Sequence, residues 1–211
     1  MSVNKFLLNL IKLYANNNTY LETGLSKGGS LFNANKLNFK KLISIEINNE
    51  YIKKGKIKFF NEIESGRIEL VNKDAALSID NKLKENNDIG VIYLDAHSHG
   101  EGEKYAPLDK ELEAIKRNNY EKLLIIDDYF HIKKKIADGW TKYHDAEKIK
   151  RDFLKVYGFA SEVPYSYKGR YNSYLINIKI SNIKIFIESV KAHIFSLPKN
   201  CLKFLIRRNL N

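Results

Sequence analysis

Asp127 and Asp128 close the apolar run Leu123-Leu124-Ile125-Ile126 in a chain of 211 residues whose formal net charge is +11. Adjacent carboxylates repel one another, and proximity to a sheet interior sharpens that repulsion. Three arrangements answer it: a helix cap, exposure to water, or a shared cation. Acids recur at comparable positions, with Glu22, Glu46, Asp74 and Asp95 each following an apolar stretch, and His97 two residues past Asp95. Acids collected at strand ends suit cation binding and hydrogen bonds to hydroxyls, and a histidine beside them suits proton transfer near neutrality.

The stretch "ETGLSKGGS", Glu22 to Ser30, is a glycine-rich turn. Gly24, Gly28 and Gly29 permit a tight bend and close backbone approach before a helix opens at Ser30. The turn lacks the second glycine of G-x-G-x-x-G and the Lys-Ser/Thr end of a phosphate-binding loop. Glu46 follows the first glycine by roughly 20 residues, the spacing at which a carboxylate takes both hydroxyls of a ribose. Asp74 stands within reach of an adenine amino group in such a site. Both acids have a structural alternative as helix caps, Glu46 before "INNEYIKK" and Asp74 before "AALSIDNKL", and for Asp74 the two readings compete evenly.

Alternating strand and helix patterns must place these groups. Strands are expected over 18–24, 40–47, 66–75, 88–97 and 121–129. Helices are expected over 30–37, 49–63, 77–85 and 107–118, with Pro107 near a helix start and acids in its first turn. A helix over 145–156 and two strand-like segments, 159–166 and 171–180, complete the pattern. The short "YKGR" between those segments reads as a reversal, giving an antiparallel pair at the sheet edge. The rhythm predicts a doubly wound α/β domain, whose ligands collect at the carboxyl ends of the strands.

Length and composition fit one domain with a sizeable core and no disorder signature. The lone Cys201 leaves no disulfide framework within one chain and fits a reducing, cytoplasmic setting. No run reaches the length of a membrane span, and the first residues lack the features of a signal peptide. Phe6, Leu7, Leu10, Ile11 and Tyr14 fall at helical spacing, predicting an amphipathic helix over 3–16 packed on the domain. Lysines are scattered rather than concentrated in a motif, so the basic balance reads as a solvated surface and nucleic acid is not the expected partner. The aromatics of "PYSYKGRYNSY" serve either as an acceptor platform beside Trp140 or, by preference, as cover for a sheet edge.

In their order and spacing, E-x-G-x-x-x-G-G-S after the first strand, the acid in "SIEIN", "NKDA" and "YLDAHS" resemble class I S-adenosylmethionine-dependent methyltransferases. The resemblance runs from Tyr20 to Tyr129. It implies a Rossmann-like, doubly wound sheet of seven strands, mostly parallel with an antiparallel last strand and helices on both faces. It implies that Glu22, Thr23, Gly24, Ser26, Gly28, Gly29 and Ser30 hold the methionine end of the cofactor. Glu46 would then bind the ribose, Asp74 with Ala75 would lie against the adenine, and Asp95 would border the cofactor.

"YLDAHS" with "IIDDY" is similar to the sugar- and antibiotic-modifying branch, in which an acid after the fourth strand and an acidic pair after the fifth bind a divalent metal. By that likeness Asp95, Asp127 and Asp128 would hold Mg²⁺, since an all-oxygen set selects a hard ion. His97 would be the general base on a sugar or glycan hydroxyl, with Asp95 in the catalytic pair and His99, Glu101 and His131 in reserve. A further likeness of "LDAHSHGEGEKYAPLDKELEAI" points to proteins encoded with surface-glycan genes. The alternatives are a methyltransferase of RNA or protein that uses the basic surface, and a non-catalytic interaction module. Residues 1–181 form the expected domain. Residues 182–211 form an amphipathic helical extension, read as an ordinary packed helix or a dimer contact in preference to a membrane-surface contact.

Overall fold

The structure, a computed structural model, describes residues 4–96, 107–135, 144–167 and 170–196. Seven strands form one sheet in the order β3-β2-β1-β4-β5-β7-β6. β1 (Thr19–Thr23), β2 (Lys41–Ile45), β3 (Ile68–Val71), β4 (Ile89–Leu94) and β5 (Leu123–Ile126) are parallel to their neighbours. β6 (Ser161–Tyr167) and β7 (Arg170–Ile176) pair antiparallel, and β7 joins β5 in the same sense. β4 and β5 read as apolar runs because helices cover both sheet faces, whereas β1 buries Thr19, Glu22 and Thr23. Every residue of β1 and of β4 is buried.

On one face α1 (Lys5–Ala15), α2 (Gly29–Asn35) and α3 (Asn49–Lys58) enclose a core built on Tyr20, Leu42, Tyr93 and Ile125. On the other, α5 (Ala75–Glu85), α6 (Leu108–Arg117), α7 (Tyr129–Lys134) and α8 (Ala146–Tyr157) cover Leu21, Ile43, Ile92 and Ile126. The alternation along β1, with Leu21 to one core and Tyr20 and Glu22 to the other side, follows from the two-residue strand period. Asn4 caps α1 by accepting the Leu7 N–H at 2.8 Å, which starts that helix close to its expected position.

Several boundaries differ from the expected ones. β3 stops at Val71 because Asp74 ends the following turn as the cap of α5. The helix expected over 49–63 breaks at Phe59 into α3 and α4 (Phe60–Glu64), with the Phe59 ring turned into the core. The fifth strand ends at Ile126, and α7, which no long periodic pattern announces, begins at Tyr129. α9 (Asn182–Ser196) packs on β6 and β7, so the chain is part of the domain to Ser196, and the rest of the expected extension lies outside the described residues. None of the described helices is long and apolar enough to cross a membrane.

Candidate active site

The strand order reverses between β1 and β4, and the crevice of such sheets opens at that reversal. Backbone bonds carry the sheet one residue past each strand. Gly24 N–H donates to Ile45 O at 2.8 Å, Glu46 N–H to Val71 O at 3.0 Å, Asp95 N–H to Thr23 O at 3.1 Å, and Asp127 N–H to Leu94 O at 3.0 Å. Gly24, Glu46, Asp95 and Asp127 therefore stand on one rim, as the pattern of strand-end acids predicts.

Gly24 is the tightest point. Its φ is +87°, and a β-carbon there would lie 2.4 Å from the Asp95 carbonyl oxygen. Only glycine satisfies both the left-handed backbone and that approach. Past it, Ser26 also takes a positive φ, 47°, and its N–H donates to Glu46 Oε2 at 2.9 Å. Gly28 lies over the Phe59 ring, where a β-carbon would meet Cε2 at 2.8 Å. The Lys58 ammonium donates to the carbonyls of Lys27 and Gly28 at 3.0 and 2.9 Å. The residues from Thr23 to Ser30 thus form a braced turn, held by Glu46 on one side and by Lys58 and Phe59 on the other.

Glu22 sits one layer below this turn, inside β1 and with no exposure. Its carboxylate accepts from Ser44 Oγ at 2.8 Å and from Tyr20 Oη at 3.2 Å, and the Ser30 hydroxyl adds a third bond. Burial pushes it up to about 7 against the pull of those hydroxyls. Glu22 thereby ties β1, β2 and the start of α2 together from beneath.

Glu46 accepts the N–H groups of Ser26 and Asn48, the latter at 2.8 Å, and is 8% exposed at the end of β2. Each oxygen keeps a further lone pair for a hydroxyl donor. Asn72 donates to the carbonyls of Glu46 and Ile47 at 3.0 and 3.1 Å, which fixes the bend after β2. Asp74 caps α5 through the Ala76 N–H at 2.8 Å, with buried Ala75 behind it. Of its two expected roles, the cap is the one visible in the geometry.

Asp95 is pushed well above the ordinary carboxylate range, chiefly by burial and then by Asp127, Asp128 and Glu22. Three acids thus act on Asp95, two from the end of β5 and one from within β1. Asp127 is fully buried and likewise raised, by burial first and by Asp128 second. It accepts Tyr93 Oη–H on Oδ2 at 2.5 Å, and Tyr165 Oη–H and the Asp128 N–H on Oδ1 at 2.6 and 2.7 Å. Asp128, at φ +52°, precedes α7 and accepts a hydrogen bond from Asn172 Nδ2.

These contacts bear on the expected magnesium centre. Three protein donors already occupy the Asp127 oxygens, and Asn172 engages Asp128. Among the described residues no group of three or more His, Cys, Asp or Glu side chains is arranged to hold a metal ion. Asp127 and Asp128 in the expected set thus meet protein donors where Mg²⁺ would need open oxygen positions. His97, His99, Glu101 and Trp140 lie outside the described residues.

The sequence reading passed over Tyr93, Asn172, Asn72, Lys58 and Glu111, and took Tyr165 only as one of the aromatics of an acceptor platform or sheet-edge cover. Tyr93 was accessible from the two-residue period before Asp95. Glu111 lies in the first turn of α6 and is 1% exposed. It bonds to the Thr23 hydroxyl, has no partner on Oε1 among the described residues, and is pushed up to about 7 by burial and further by Asp74.

Comparison with known proteins adds to this geometry. No protein-family profile matches the chain, and no curated protein sequence does. Solved structures do. An O-methyltransferase from Bacillus cereus in complex with S-adenosylhomocysteine superposes with a TM-score of 0.56 at 14% identity, over 82% of this chain and 78% of that one. The O-methyltransferase TomG from Streptomyces achromogenes, in complex with S-adenosylmethionine, gives 0.55 at 17%, over 82% and 77%. Spermidine synthase from Thermotoga maritima gives 0.58 at 17%, over 92% and 70%. The chain shares the Rossmann-like, seven-stranded fold of these structures.

Proposed function

We propose that the chain is an S-adenosylmethionine-dependent methyltransferase acting on a hydroxyl group of a sugar, glycan or related small molecule. The observation that carries this reading is the meeting of Gly24, Glu46 and Asp95 on one rim at the β1–β4 crevice. The residues present fit the cofactor. Glu46 has lone pairs for the two ribose hydroxyls, and its bond to Ser26 ties the ribose end to the glycine turn. The close approach of Gly24 to Asp95 holds the turn against the end of β4, where the methionine end is assigned. Asp74 and Ala75 take the adenine side, at the head of α5.

S-Adenosylmethionine supplies an electrophilic sulfonium methyl when bound. The acceptor oxygen gains that methyl as the carbon–sulfur bond breaks, and its proton must pass to a base. Asp95, one residue past β4, is assigned the acceptor side of the crevice, and His97 is assigned the proton on its place in the sequence. Braced backbone around Gly24 and Gly28 holds the donor in line, so positioning supplies much of the rate. No step in this scheme passes through a divalent ion. The cytoplasm is the setting proposed, and small acceptors are preferred to nucleic acid.

Titration calorimetry with S-adenosylhomocysteine tests the reading. One site per chain supports it, and the absence of any binding heat, checked by equilibrium dialysis, ends it. The RNA-directed alternative instead requires RNA affinity that falls steeply with salt.

A further inference from the structure

We propose that Tyr93, Asp127, Tyr165 and Asn172 form a hydrogen-bonded relay that fixes the Asp128 carboxylate at the acceptor side of the crevice, in the place of a divalent cation. The word acceptor rests on the methyltransferase reading; the relay itself does not.

The chain of bonds can be followed proton by proton. Tyr93 and Tyr165 spend their hydroxyl protons on the two oxygens of Asp127, at 2.5 and 2.6 Å. Tyr165 then receives a bond from Asn172 Nδ2 at 2.8 Å, and the same amide nitrogen donates to Asp128 Oδ1. The Asn172 carbonyl accepts the Ser173 N–H at 2.8 Å. Both N–H bonds of the amide are thus used, and a flipped amide would set its carbonyl against the Asp128 carboxylate. The orientation is therefore fixed by the network.

Geometry from four strands supports the relay. Tyr165 and Asn172 are register partners on β6 and β7, Tyr93 comes from β4, and Asp127 follows β5. Tyr165 is held flat against Tyr174, with ring centroids 4.2 Å apart and an interplanar angle of 13°. Asp127 has no exposure and Asn172 only 5%. A cation at Asp127 would enter a buried site where three protein donors already engage the carboxylate, and any donor it displaced would cost free energy in such surroundings.

The outer end of the relay is Asp128. Its left-handed backbone, φ +52°, is uncommon for a residue other than glycine, and its side chain is 15% exposed. Asn172 engages Oδ1, and His131 Nδ1 stands 3.7 Å from that same oxygen. Oδ2 is left to accept a hydrogen bond from an O–H group of the acceptor. Asp127 is accordingly the internal anchor and Asp128 the outward-facing acid, a positioning residue and a binding residue respectively.

Two measurements on the full chain test this. Mn²⁺ is titrated with and without S-adenosylhomocysteine while the free-ion electron paramagnetic resonance signal is followed. The relay predicts no stoichiometric loss of signal at micromolar ion. One Mn²⁺ bound per chain, abolished in Asp127→Asn, overturns it. In the second, the Asn172 side-chain amide is observed by NMR in the wild type, Tyr165→Phe and Asp128→Asn. Both variants should shift its two proton resonances, and Tyr165→Phe should speed their solvent exchange about tenfold, the equivalent of one lost hydrogen bond. Unchanged resonances in both variants contradict the relay. Failure to bind S-adenosylhomocysteine in the same titrations would count against the methyltransferase reading alone.

Discussion

Gly24 and Asp95 meet so closely that one methyl group added to the glycine would stand 2.4 Å from the Asp95 carbonyl oxygen. This contact joins the turn after β1 to the end of β4, where the crevice opens. Gly24→Ala should therefore combine backbone strain with a clash against the main chain. Gly66 provides the comparison, having φ +74° with nothing within 4 Å of an added β-carbon. Gly66→Ala should cost about 1–2 kcal/mol from strain alone. Gly24→Ala should cost more than about 3 kcal/mol, or fold with S-adenosylhomocysteine binding weakened at least about tenfold. Urea unfolding and calorimetry on the two variants separate these terms, and equal effects would refute the close-approach argument.

Glu46 is expected to act on both the turn and the ribose. Glu46→Ala removes the acceptor of the Ser26 and Asn48 N–H groups. Affinity for S-adenosylhomocysteine should fall by about 10- to 100-fold, the range for hydrogen bonds to a charged group. An analogue lacking the ribose 2′-hydroxyl should bind the wild type less well and distinguish little between wild type and variant. An equal loss for both ligands would restrict Glu46 to bracing the turn.

Glu111 supplies a pH prediction. Its folded value is raised from 4.5 to about 7, so between those values the folded protein binds more protons than the unfolded one. The stability it favours is full below pH 4.5 and is lost as pH rises through 7. The loss is on the order of 3 kcal/mol for a shift of this size. Glu111→Gln keeps the shape and an oxygen for the Thr23 hydroxyl without the titration. Urea unfolding at pH 5 and pH 8 should show a smaller decline in the variant than in the wild type. Parallel declines would remove Glu111 as the source.

Asp74 separates its two roles through a pair of substitutions. Asp74→Ala loses the cap of α5, which costs about 1 kcal/mol. Asp74→Asn retains a capping oxygen, so its stability should approach that of the wild type. If Asp74 also takes an adenine amino group, the Asn variant should still bind S-adenosylhomocysteine more weakly than the wild type. Identical affinities would leave only the cap.

Much of this architecture was legible in the linear chain, for a physical reason. Strands covered on both faces are dominated by apolar residues, so β4 and β5 stood out as runs ending at Asp95 and Asp127, whereas β1 buries Thr19, Glu22 and Thr23. Local chemistry also marked Gly24 and the cap at Asp74. What escaped was set by contacts between distant segments. Tyr93, Tyr165 and Asn172 lie 34 to 44 residues from the acids they engage, and nothing near Asp127 announces that tyrosines fill its lone pairs. The same adjacency of two acids suggested a cation from sequence, whereas in the structure Tyr93 and Tyr165 engage Asp127 and Asn172 engages Asp128. Glu111 resembled a first-turn acid in water, yet the docking of α6 buries it beside Thr23.

The most direct measurement is a crystal structure of the chain grown with S-adenosylhomocysteine. The account predicts the ligand in the β1–β4 crevice, its amino-acid end along the turn from Gly24 to Ser30, its ribose on Glu46 and its adenine beside Asp74. Ligand bound elsewhere on the surface, with that crevice closed by protein side chains, would contradict it.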